Sequence, residues 1–180
     1  MFIEHFLDHW LEVRNIQNTV PDAELFPEYY LDSHLTESAL LETQLFFKAL
    51  VQENLPVRNL VDSDFTFVNE RLARHYGIAL ESQSRHMVRV ELPQDSPRGG
   101  LMTQAAVLKV TANGTTTSPV LRGVWIVQRL MGRDIPPPPS GVEAIEPDTR
   151  GATTIKEQLA KHVESESCAG TRFRLINMLR

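Results

Sequence analysis

The chain has 180 residues, a net charge of −5, 42% hydrophobic residues and 23% charged residues, which fits a soluble globular chain with one core or two small ones. The acidic balance gives no bulk electrostatic support for a nucleic-acid partner, and no apolar run approaches the roughly 20 residues of a membrane span. One cysteine excludes an internal disulfide and any all-cysteine zinc site, and Met1-Phe2-Ile3-Glu4-His5 has neither the basic start nor the apolar core of a signal peptide.

Taken in chain order, Ile3, Phe6, Leu7, Trp10 and Val13 recur at helical spacing and predict an amphipathic helix over 2–16. Asn15 to Asp22 is a polar connector, and Leu25 to Tyr30 reads as an ordered loop. A long helix is expected over 33–53, capped by Ser33 or Asp32 and closed by Pro56. Its residues Ala39, Leu40, Leu41, Leu45, Phe46, Phe47, Ala49, Leu50 and Val51 leave little polar face, which predicts burial on several sides at the centre of a bundle. Phe65, Val68, Leu72 and Tyr76 predict a third helix over 66–76, with Gly77 as a left-handed cap. Residues 85–92 alternate loosely, as a short strand would, with Met87 out of phase.

Beyond Arg98 the texture changes. Leu101 to Val110 is apolar and compatible with helix or strand, and Asn113-Gly114 is a turn. Ser118-Pro119 combines an N-cap with proline at the first helical position, opening a helix to about 131. Val124 and Trp125 should point inward from it. Pro136 to Pro139 form an extended polyproline run. Thr154 and Glu157 form a capping box before a last helix to about 165. The fold class expected is mainly α, a helical bundle followed by a small, irregular helical region, with little sheet.

Several constellations could carry chemistry. His5 and His9 lie four apart, a spacing that puts both imidazoles on one helix face as a metal site needs, but nothing in the pattern supplies a third ligand. Asp62 to Arg71 gathers carboxylates, hydroxyls and an amide. It lacks the glycine-turned loop of a calcium site, so capping by Asp64 or Thr66, with Asn69 and Arg71 bonding a neighbouring loop, is the simpler reading. Arg98-Gly99-Gly100 suggests an anion cradle of backbone N–H groups or, more simply, a turn needing positive φ. Ser118 lacks the glycine setting of a nucleophile, and the prolines could serve a proline-reading partner or a stiff strap. No nucleophile–base–orienter set can be named, which leaves an enzymatic reading without residues to carry it. Neither a catalytic residue nor a metal ligand set is assigned.

Cys168-Ala169-Gly170 opens a possible haem-attachment site. Attachment of a c-type haem uses two thiols and the histidine just after the second. Here Thr171 and Arg172 stand where the second cysteine and the histidine would be.

Taken together, these phrases resemble the planctomycete cytochrome-c-like proteins, built from several planctomycete-specific domains of unknown function. Phe6-Leu7-Asp8-His9-Trp10-Leu11, Phe26-Pro27-Glu28-Tyr29 and Phe65 to Gly77 resemble the C-terminal part of a helical domain of that family, over 1–92. Arg98-Gly99-Gly100-Leu101, Thr117-Ser118-Pro119-Val120, Arg122-Gly123-Val124-Trp125, the proline run and Arg150 to Thr154 leading to Cys168 resemble its cytochrome-c-like domain, over 93–170. A divergent tail, 171–180, follows. The resemblance implies an extracytoplasmic lineage of c-type cytochromes that pass electrons to or from a partner oxidoreductase. Cys168 would be the remnant of the first attachment cysteine, and a methionine such as Met102 or Met131 a distal ligand in intact relatives. This chain starts within the first domain, shows no export signal and departs from the family inside the haem motif. The expectation is therefore a fragment of a larger multidomain protein, without bound haem, cytoplasmic as it stands, whose partners are another protein or the missing parts of its parent. A haem-free interaction or scaffold module is the alternative.

Overall fold

A computed structural model describes residues 2–32, 34–80, 84–112, 114 and 119–135. All of them belong to one compact unit, Met1–Ile135. Ser118, the proline run, the helix expected over 154–165 and Cys168 lie outside the described residues.

The helix expected over 2–16 stops earlier, and the indole of Trp125 supplies a reason. Helix α1 covers Phe2–Trp10 and buries Leu7. Trp125 then donates its ring N–H to the Leu11 carbonyl at 3.1 Å, an oxygen the next helical turn would have used. Glu12 turns left-handed at φ 58, and Val13–Gln17 resumes as a 3₁₀ turn that buries Val13 and Ile16. Trp10 reciprocates by donating to the Arg129 carbonyl at 2.6 Å, and Arg129 pairs with Glu12. Two indoles thus latch α1 to helix α6, Pro119–Trp125, which continues as a π-type turn over Ile126–Leu130. Trp125 points inward, as expected, and Val124 is half-buried.

Leu25 to Tyr30, expected as a loop, contains a short helix α2 at Glu28–Leu31. Asp22 Oδ1 organises its approach by accepting from the N–H of Glu24 and of Leu25 at 2.9 and 3.0 Å. Helix α3, His34–Gln52, is the central element and packs against α1 and α2. It also meets strand β1 (Phe65–Val68), helix α4 (Glu70–Tyr76) and helix α5 (Ala105–Val110). Its burial differs from the all-apolar expectation. Leu41 and Val51 are exposed, whereas Thr36, Ser38, Glu42 and Thr43 are buried.

Residues 65–68 are the clearest correction. They form β1 rather than the start of a helix, and pair antiparallel with β2, Val88–Glu91, from Phe65↔Glu91 to Val68↔Val88. Aromatic and β-branched side chains suit a pleated surface better than a first helical turn. The cap falls to Asn69, whose Oδ1 accepts from the Leu72 N–H at 3.0 Å. The helix closes on Gly77 at φ 70, as its position predicts. Leu101–Thr103 is a 3₁₀ turn leading to α5, which settles the helix-or-strand ambiguity at 101–110.

The core runs across the sequence boundary at 92 and 93. Leu101, Ala105, Ala106, Val107 and Trp125 share one cluster with Leu7, Phe46, Phe65 and Leu72. Polar contacts set its register. Glu42, 1% exposed, accepts from the Thr66 hydroxyl at 2.6 Å and the Tyr76 hydroxyl at 2.5 Å. The Tyr76 oxygen in turn accepts from the Ala105 N–H at 2.7 Å. Thr43 donates to Gln104 at 2.8 Å and Asn69 to Ser38 at 2.8 Å. Burial pushes the Glu42 carboxyl up to about 7, against the opposing hydrogen bonds from Thr66 and Tyr76 and the more distant Arg98 charge.

Two outcomes test this core. Trp125→Ala should cost about 3–5 kcal/mol in denaturant melts, as large buried aromatics do; a loss below about 1 kcal/mol would contradict its burial. Glu42 binds its proton more tightly in the folded state, so its contribution is fully present below the ordinary carboxyl pKa and is lost as pH rises toward 7. Between pH ~5 and ~8 the wild type should therefore lose about 2–3 kcal/mol relative to Glu42→Gln. Parallel melts of the two proteins across that range check this, and a constant difference would refute it.

Candidate functional site

A cleft of about 380 Å³ opens beside the polar core. Phe26 and Tyr29 wall one side, His75 and Tyr76 from the last turn of α4 another, and Leu108 and Lys109 of α5 the floor. Arg98 and Arg122 also line it, and Glu28 is the one carboxylate among the described residues that do. A concave, mostly apolar site with a few convergent polar groups is the usual form of a small-molecule pocket.

Arg98 and Lys109 are held in place by neutral groups. The Arg98 guanidinium lies 3.6 Å above the Tyr76 ring, a cation–π contact, and donates one N–H to the Thr103 carbonyl at 3.0 Å. Lys109 is buried and donates to the carbonyls of Ile16 and of Thr19, the latter at 2.8 Å. Burial without a carboxylate partner lowers its pKa. Arg122 Nε donates to Thr111 at 3.4 Å. Beside Tyr76, His75 Nδ1 stands 3.8 Å from Glu28 and its ring meets Tyr29 edge-on at 5.7 Å. Burial lowers the His75 pKa, Glu28 opposes that and Arg98 adds to it. Burial raises the Tyr29 pKa, with Glu28 adding to the rise and Arg98 opposing it.

The turn at Arg98-Gly99-Gly100 places the guanidinium. Gly100 has φ 71, and a Cβ there would come within 2.6 Å of the Leu60 carbonyl oxygen. At Gly99 it would meet the Ser63 carbonyl oxygen at 2.9 Å. Both glycines therefore let the loop lie directly on 60–63, which bears out the positive-φ reading. The Gly99 N–H, one donor of the alternative backbone cradle, is already given to the Thr103 hydroxyl at 2.9 Å. It is the Arg98 side chain that faces the cleft.

The other candidate residues are dispersed. His5 and His9 are exposed on α1, and no group of three His, Cys, Asp or Glu that could hold a metal ion occurs among the described residues. In the 62–71 run Ser63 bonds the Phe65 backbone, Thr66 bonds Glu42, Asn69 caps α4 and Arg71 pairs with Asp32. Arg71 thus bonds a neighbouring loop as expected, while the capping assigned to Asp64 or Thr66 belongs to Asn69. Met102 is half-buried and Met131 is 47% exposed. Sequence reasoning missed Tyr29, Tyr76, Lys109 and the buried Glu42. Only Glu42 left a signal, as a carboxylate inside the most apolar stretch of the chain.

Comparison with known families assigns both halves. Residues 1–78 match PSD4, a protein of unknown function (DUF1592), and residues 98–179 match PSCyt3, a protein of unknown function (DUF1588). No curated protein and no solved structure matches the chain. No helix among the described residues is long and apolar enough to cross a membrane. The lining of the cleft draws on both matched segments, Tyr29 and Tyr76 from the first, Arg98 and Lys109 from the second. The chain carries two planctomycete cytochrome-c-like domain families of unknown function, in the order its sequence phrases indicate.

Proposed function

We propose that the chain is a haem-free member of a c-type-cytochrome-like lineage, in which electron transfer belongs to intact relatives that carry covalent haem. The observation that supports this most directly is the donor set. Thioether attachment at both haem vinyl groups takes two thiols at fixed spacing, and the chain has one cysteine. Thr171 cannot add through sulfur, and the guanidinium of Arg172 has no free lone pair for iron. The residues present therefore do not fit the group, and no redox step is assigned to them. Cys168 remains the position that corresponds to a first attachment cysteine.

A second reading draws support from the fold. The described unit gathers Leu7, Phe46, Phe65, Leu72, Val107 and Trp125 into one buried apolar cluster. That is what a haem-free interaction or scaffold module would need.

The chain should bind no covalent haem when exported into a compartment equipped for cytochrome c maturation. Purified protein, denatured and examined by absorption and intact mass, should show the bare polypeptide. A Soret band that survives denaturation, with a mass increase equal to haem, would overturn the proposal. The double change Thr171→Cys with Arg172→His restores the attachment motif and provides the positive comparison.

A further inference from the structure

The cleft holds more hydrogen-bond donors than the protein uses. Arg98 makes one bond, to Thr103, from a fork of five N–H groups. Lys109 places two of its three N–H bonds on backbone carbonyls. Among the described residues the Tyr29 hydroxyl bonds no protein group, and neither Arg98 nor Lys109 pairs with a carboxylate.

The charge balance is also local. Among the described residues lining the cleft, Arg98 and Lys109 are cations that no carboxylate pairs and Glu28 is the one carboxylate, in a chain whose net charge is −5. The carboxylate, Glu28, sits on the wall beside His75. Low-dielectric walls focus the field of such cations toward an anion entering the site.

We propose that this cleft binds a small aromatic carboxylic acid as its anion, the carboxylate meeting the Arg98 and Lys109 donors and the ring lying against Phe26, Tyr29 and Leu108.

Size and lining select this class. At about 380 Å³ the cleft is at the small end of ligand pockets, enough for a single-ring acid. A planar carboxylate matches the free edge of a guanidinium fork. A multiply charged phosphate would meet Glu28 across the same space and would leave the apolar walls unused. A neutral ring would bury its body equally well but leave the Arg98 and Lys109 donors desolvated and unpaired, which is costly.

The test is amide chemical-shift mapping on the full 180-residue chain, titrated with benzoate, with benzamide as the neutral isostere and with inorganic phosphate. Benzoate should saturably shift amides around Tyr76, Arg98 and Lys109 and bind at least about tenfold more tightly than benzamide, the difference one charge-assisted bond makes. Arg98→Gln and Lys109→Met should each weaken benzoate by about tenfold. Arg74→Gln, outside the cleft, should leave it unchanged. Equal affinity for benzamide, displacement of benzoate by phosphate at equal concentration, or shifts scattered away from the cleft would each overturn the proposal. The comparison of benzoate with benzamide on the unaltered chain decides the matter even where a variant fails to fold.

Discussion

The fold depends on a carboxyl group buried where apolar side chains were expected. Glu42 sits in the middle of α3 and is bonded on both oxygens, by Thr66 from β1 and Tyr76 from α4. Burying such a group without partners costs several kcal/mol, so the partners must arrive together. Apolar packing alone would tolerate a shift of α3 by a residue or a turn with modest loss. Hydrogen bonds at 2.5 to 2.6 Å do not tolerate it. The Thr43–Gln104 and Asn69–Ser38 bonds flank Glu42 and impose the same register from either side. Polar groups buried in this way exchange some stability for a defined arrangement.

The cleft inherits that constraint through one residue. The Tyr76 hydroxyl is committed to Glu42 and Ala105, while its ring carries the Arg98 guanidinium. The orientation of the cation is therefore fixed from inside the core. Gly99 and Gly100 supply the other half of the placement by letting their loop approach 60–63 more closely than a Cβ permits. Lys109 is anchored from a third direction, on the carbonyls of Ile16 in the 3₁₀ turn after α1 and of Thr19 just beyond it. Side chains held by packing and by bonds of their own need little reordering when a ligand arrives, so less binding free energy is lost to entropy.

The sequence was most legible where a single residue type forces a backbone state. Gly77 ends α4 and Pro119 opens α6 because their allowed φ values leave few alternatives. It was least legible where tertiary contacts compete with local preference. Phe65 to Val68 falls on an apolar pattern that fits either period, and pairing with β2 decides for the strand. Residues 11–16 have helical spacing, yet the Trp125 indole, 114 positions away in the chain, takes the Leu11 carbonyl. The apolar count of α3 gave its central place but not its orientation, since Glu42 and Thr43 turn inward while Leu41 turns out. Tyr29, Tyr76 and Lys109 had no local pattern to betray them. Their shared surface exists only after segments far apart in the chain have docked.

The two family matches meet inside one core, and this changes what each half can be by itself. The first match contributes Leu7, Phe46, Phe65 and Leu72, and the second contributes Leu101, Ala106, Val107 and Trp125 to the same cluster. Trp10 and Trp125 each donate across the boundary, one indole from each match. Tyr76, in the first match, takes the N–H that opens α5 in the second. A segment that ended at 92 would leave the face of α3 that meets α5 open to water, and would deprive the Trp10 indole of Arg129 and the Thr43 hydroxyl of Gln104. Such a segment would bury less apolar surface against the same cost of ordering its helices. The boundary between the two families is thus a boundary in sequence pattern, and the unit of folding spans it.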